Sequence, residues 1–112
     1  HPVQASMDAL PFQREMFDLI WAEGSIFIMG YEKGLRYWHR FLKPGGFVAV
    51  TDCTWFGKKR PANMKWIEDN LPEIDTVEHK IGLMEEAGYE PFAHFFLPET
   101  CWTKTITSLC VL

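Results

Sequence analysis

The chain has 112 residues, of which 47 % are hydrophobic, 15 % aromatic and 23 % charged, which suits one domain able to bury a core. A net charge of −4 and a pI near 5.5 argue against the basic face that nucleic-acid binding requires, and no apolar run approaches the ~20 residues of a membrane span. Cys53, Cys101 and Cys110 form no CxxC pair, and His1, His39, His79 and His94 make no HxxxH or HExxH pattern; reduced thiols, a cytoplasmic home and no metal site follow as expectations.

His1 to Gln13 reads as irregular, because Pro11 prevents regular helix there, and the start His1-Pro2 carries no leader signature. Phe17-Asp18-Leu19-Ile20-Trp21 is a short apolar run and the first predicted strand. After the Glu23-Gly24 loop, Tyr31, Leu35, Trp38, Phe41 and Leu42 recur on one helical face, with Glu32, Lys33, Arg36, His39 and Arg40 opposite. Lys43-Pro44-Gly45-Gly46 stops this helix, and Phe47-Val48-Ala49-Val50 opens a second strand ending at Thr51-Asp52. Neither strand alternates apolar with polar residues, the habit of parallel strands buried on both faces. A strand, helix and strand in this order make a right-handed crossover.

Lys58-Lys59-Arg60 lies in a loop, and Pro61 suits the start of a short helix over Ala62–Asn70. Asp75, with Glu78 three residues on, predicts a capped helix carrying Val77, Ile81 and Met84 on one face and ending at Gly88. Pro91–Leu97 and Lys104–Val111 read as a third and fourth strand joined tightly, hence a hairpin that adds one antiparallel member. The predicted class is α/β, with parallel strands, a final antiparallel hairpin strand and helices on both faces.

Four motifs in order, Ser6-Met7-Asp8-Ala9-Leu10-Pro11-Phe12, Phe17 to Gly24, Leu42-Lys43-Pro44-Gly45-Gly46 and Ala87-Gly88-Tyr89, resemble the C-terminal half of class I S-adenosylmethionine-dependent methyltransferases, in their small-molecule, type-11-like branch. The resemblance covers nearly the whole chain and implies a partial Rossmann-like sheet in spatial order first, second, fourth, third. It implies S-adenosylmethionine as cofactor of the full-length parent, with Ser6, Met7 and Asp8 at the adenine edge and Trp21 and Glu23 near the methionine part. The family often has an acidic residue where this chain has Ser6, with Asp8 two places on. The family's glycine-rich loop has no counterpart, since no G-x-G occurs. The chain is thus read as a single domain, the half of such a fold without that loop, with weak or absent cofactor binding by itself.

Ligands in such sheets sit beyond the carboxyl ends of the strands. Glu23 is there, as a general base for a protonated acceptor or as a plain loop cap. Asp52, Thr54 and Trp55 follow the second strand, and Trp102 sits in the last turn; they form a substrate wall or, for the two tryptophans, rim aromatics. The function expected is methyl transfer to a small molecule, or alternatively a non-catalytic module that self-associates. Association is expected through the Phe17–Trp21 edge, which carries little charge and no proline to block pairing.

Overall fold

The computed structural model describes residues 2–55, 64–96 and 107–111 of the chain. Its elements are β1 (Phe17–Glu23), a 3₁₀ turn (Ile26–Ile28), α1 (Tyr31–Trp38), a second 3₁₀ turn (His39–Phe41), β2 (Leu42–Thr54), α2 (Met64–Asn70), α3 (Val77–Glu86), β3 (His94–Phe96) and β4 (Thr107–Val111). They build a four-stranded sheet in the order β1-β2-β4-β3. β1 runs parallel to β2, and β4 runs antiparallel to both β2 and β3. The expected order and the closing hairpin are both present. The expected loop Lys58–Arg60, the turn around Trp102 and the ends of the last two strands lie outside the described residues.

The strands are longer than their apolar runs. β1 continues through Ala22 to Glu23, because Trp21 pairs with Ala49 and Glu23 with Thr51 in the ladder. β2 begins at Leu42, so the Lys-Pro-Gly-Gly turn lies inside a strand that shifts register between Phe17 and Leu19 of its neighbour. The α1 helix ends at Trp38, and the apolar stripe runs on through the 3₁₀ turn, which buries Phe41.

Side chains alternate across a strand, and the alternation decides what each face does. Ala22, Val48 and Val50 join Ile26, Tyr31, Leu35 and Trp38 and, from α3, Val77 and Met84 in one buried cluster. Both α1 and α3 therefore pack on the same face of β1 and β2. On the opposite face Leu19, Trp21 and Phe47 remain exposed.

The start of α3 corrects one expectation. The cap is Thr76, whose Oγ1 accepts from the His79 N–H at 3.2 Å. Asp75 instead accepts from the Thr76 N–H, and its carbonyl accepts from Trp55 N–H at 3.0 Å. Asp75 is thus engaged in tying α3 to the end of β2, and the Asp75–Glu78 pair does not form the cap. The helix ends as expected: Gly88 has φ +96°, its N–H bonds to the Glu85 carbonyl, and Tyr89 N–H bonds to the Met84 carbonyl. That is a Schellman closure, and it needs the left-handed residue that glycine supplies.

Candidate functional site

Two places gather the residues singled out in the sequence. The first is a groove of about 350 Å³ along the free side of β1, lined by Met7, Leu10, Phe12, Leu19, Trp21, Glu23 and Trp38 among others. Its outer wall is the segment before β1. Leu10 N–H donates to the Tyr37 hydroxyl at 3.0 Å, and Trp38 Nε1–H donates to the Met7 carbonyl at 3.3 Å. Two aromatic side chains of α1 therefore hold the Ser6–Leu10 loop against the helix. Phe12 stacks edge-on to Phe17 at 4.9 Å and to Phe41 at 6.5 Å, which fixes the other end of the wall.

Within that loop Ser6 Oγ donates to Asp8 Oδ1. This bond, the loop's own backbone and, more weakly, Lys33 hold the Asp8 carboxyl below the usual carboxylate range. Both residues are exposed. Across the groove, Trp21 Nε1–H donates to Glu23 Oε1 at 2.8 Å. The two side chains stand on the same face of β1 because they are two residues apart. Trp21 is 64 % exposed, so its ring is available as a flat wall. Met7, Trp21 and Glu23, separate in the sequence, thus line one groove; Ser6 is not among its lining residues, and Asp8 lines a different cavity with Glu32, Lys33 and Arg36 of α1.

The second place is the carboxyl end of β2, and here the structure departs from the expected open wall. Asp52, Thr54 and Trp55 are all buried, with 6, 0 and 8 % exposure. Asp52 and Thr54 share the face of Val48 and Val50, which α1 and α3 cover. Asp52 pairs with Lys80 Nζ inside the core, and the ammonium lies 4.5 Å from the centre of the Tyr31 ring. The Tyr31 hydroxyl donates to the Lys80 carbonyl at 3.1 Å. Burial, with Asp52 adding to it, raises the Tyr31 phenol well above its ordinary range. Burial also raises the Cys53 thiol, with Asp52 adding to the effect and Lys80 opposing it. Thr54 Oγ1 is buried without a hydrogen-bond partner among the described residues. Trp102 lies outside the described residues.

The sequence reading passed over Lys80, Tyr31 and Glu73 as site-building residues. Lys80 had a signal: it falls between Val77 and Met84 on the buried stripe of α3, where a lysine needs a partner. Glu73 had none, since its contacts are to Tyr31 N–H at 2.8 Å and Glu32 N–H at 3.4 Å, far back in the chain. Among the described residues no group of His, Cys, Asp or Glu side chains is arranged to hold a metal ion, and no helix is long and apolar enough to cross a membrane.

Comparison with known proteins shows what the chain is similar to. Residues 1–50 match the family described as methyltransferase domain. No curated protein matches the chain in sequence. Among solved structures, the [4+2]-cyclase SpnF superposes with a TM-score of 0.72 at 16 % identity, over 96 % of this chain and 53 % of its own. A geranyl diphosphate methyltransferase in complex with S-adenosylmethionine gives 0.74 at 15 % identity, over 96 % and 54 %. The geranyl diphosphate C-methyltransferase of Streptomyces coelicolor, with magnesium, geranyl diphosphate and S-adenosylhomocysteine, gives 0.72 at 13 % identity, over 96 % and 49 %. The chain spans about half the length of these structures, and at such identities the likeness is one of fold.

Proposed function

We propose, from the class I S-adenosylmethionine-dependent methyltransferase resemblance, which the match over residues 1–50 and the shared fold support, that this chain is the C-terminal half of such a fold and acts in methyl transfer to a small molecule. The observation that carries the reading is that Met7, from the loop before β1, and the Trp21–Glu23 pair line one groove. Its volume of about 350 Å³ falls at the lower end of small-ligand sites. The residues present fit one side of the family's cofactor, which when bound supplies an electrophilic methyl group. Ser6, Met7 and Asp8 would hold the adenine edge. The Trp21 ring would lie near the methionine part, and the Glu23 carboxylate would face positive charge or take the acceptor's proton. Asp52, Thr54 and Trp55 are buried and do not line this groove. Alignment is the main service such a site renders.

The test is an NMR titration of the chain with S-adenosylhomocysteine. The expected result is a shift of the Met7, Asp8 and Glu23 amides and of the Trp21 indole N–H, with affinity weaker than about 1 μM. Shifts confined to other regions would overturn the site, and sub-micromolar affinity would overturn the half-fold reading.

We also propose that, when the groove holds no ligand, a second copy pairs along Phe17–Trp21, on the same free side of β1 that lines the groove. β1 ends the sheet and is paired on one side only among the described residues, and Leu19, Trp21 and Phe47 are exposed beside it. Such an edge templates another strand. Sedimentation at tens of micromolar is expected to show a dimer (about 7 kcal/mol of association), abolished by Leu19→Lys; a monomer throughout would refute it.

A further inference from the structure

The helix α1 has no N-cap side chain of its own. Its cap position is Gly30, with φ +99°, and the first turn of a helix leaves backbone N–H groups in need of acceptors. The acceptor comes from the segment between α2 and α3, where Glu73 Oε2 takes the N–H of Tyr31 and of Glu32. The approach is close: a Cβ on Gly30 would stand 2.7 Å from Glu73 Oε1. Glycine at position 30 therefore serves both the backbone angle and the space for this carboxylate.

Within Leu71–Ile74 the other hydrogen bonds are local. Leu71 N–H bonds back to Ile67 and Ile74 N–H to Leu71. Among the described residues, the Glu73 carboxylate is the polar tie from these four residues to the rest of the fold. Beneath the segment lies a small cavity of about 30 Å³, floored by Tyr31, Asp52, Cys53 and Lys80 and walled by Leu71–Ile74. The volume is about that of one water molecule.

We propose that Leu71–Ile74 is a strap latched by Glu73 onto the N-terminus of α1, and that release of the latch opens the cavity over the Asp52–Lys80 pair. A carboxylate on backbone N–H groups at a helix N-terminus is a favourable but modest contact, strong enough to keep the strap closed and weak enough to let it open without unfolding the sheet. The opened cavity presents one carboxylate and one ammonium side by side, so it admits a small polar ligand rather than an apolar one. The device stands independently of the methyl-transfer reading, because it is read in the chain without any cofactor.

Lys80, buried at the floor of the cavity, reports the opening. The experiment measures acetylation of Lys80 by an N-hydroxysuccinimide ester, resolved from the other lysines by peptide mass, together with amide exchange at Tyr31, Glu32, Val48 and Val50. In the unsubstituted chain, Lys80 acetylation is expected to be independent of urea well below the unfolding midpoint, the mark of a local opening. Glu73→Ala is expected to speed both Lys80 acetylation and Tyr31 and Glu32 exchange roughly fivefold, the scale of a lost helix cap, with Val48 and Val50 unchanged. Glu73→Gln, which keeps an acceptor, is expected to fall between. The proposal is overturned if Lys80 acetylation follows global unfolding at every urea concentration. It is equally overturned if Glu73→Ala frees the Tyr31 and Glu32 amides while Lys80 stays unchanged, or if Val48 and Val50 accelerate in step.

Discussion

Glu23 ends β1, and Asp52 lies near the end of β2, one residue beyond Thr51, the ladder partner of Glu23, yet they live in different chemistry. Glu23 stands on the face that carries Leu19 and Trp21, is exposed, and accepts a hydrogen bond from an indole. Asp52 stands on the face covered by α1 and α3, and its charge is met by Lys80 beneath the Tyr31 ring. An acidic residue at a strand's carboxyl end is thus not one kind of residue. Parity along the strand decides whether the carboxylate is available to a ligand or spent on holding helices to the sheet. The same split runs along β1 and the middle of β2: Ala22, Val48 and Val50 are buried on one face, while Leu19, Trp21 and Phe47 are exposed on the other.

The largest effect is expected from breaking the closed side. Asp52→Ala or Lys80→Met, made singly, should cost about 3–5 kcal/mol, because each leaves a buried charge without its partner. The double variant Asp52→Leu/Lys80→Met should recover most of that loss, since an apolar pair avoids desolvating two ions. Urea unfolding of the three variants checks the ordering. If the double variant is as unstable as the singles, the pair supplies specificity of packing that an apolar replacement does not match.

A second contrast compares equal side chains on the two faces. Leu35 is fully buried in the core, whereas Leu19 is 48 % exposed on the open face. Leu35→Ala should cost about 2–5 kcal/mol. Leu19→Ala should stay within about 0.5 kcal/mol at concentrations where the chain is a monomer. A cost above about 2 kcal/mol for Leu19→Ala would mean that this face is covered in the folded chain after all.

The sequence made the frame legible because it depends on local signals. The apolar runs at Phe17 and Phe47, the stripe from Tyr31 to Phe41 and the closing Gly88 each follow from spacing or from one residue's backbone freedom. The strand order followed from the resemblance. Three things were not legible. The true ends of β1 and β2 depend on pairing across the ladder, which carries Ala22, Glu23, Cys53 and Thr54 into strand. The cap of α3 passed from Asp75 to Thr76 because Asp75 was drawn to the end of β2. The burial of Asp52 depends on a lysine 28 residues later, a contact that no local pattern encodes. Of the groove residues, Met7, Trp21 and Glu23 were named in advance, while Trp38 and Tyr37, which hold the loop in place, were read only as helix residues.

The smallest effect is expected in the Ser6–Asp8 loop, and it sharpens the contrast between an exposed carboxylate and a buried one. The Ser6 hydroxyl is the main cause that lowers the Asp8 carboxyl below its ordinary value. The folded loop therefore binds the Asp8 proton less tightly than the unfolded chain does. A group lowered in this way contributes order that is fully present above the ordinary carboxylate range and is lost as pH falls through the lowered value. Because Asp8 is fully exposed, solvent screens the contact, and the thermal midpoint at neutral pH should not change when it is removed. The readout is local instead. An NMR titration of the Asp8 side-chain carboxyl should show its midpoint below that of an ordinary aspartate, and Ser6→Ala should return it upward. The amides of Met7 and Ala9 should titrate with the same midpoint, because the loop loses its internal tie when Asp8 is protonated. If Ser6→Ala leaves the Asp8 midpoint where it was, the hydroxyl bond does not organise this loop, and the anchors from Trp38 and Tyr37 alone set its shape beside the groove.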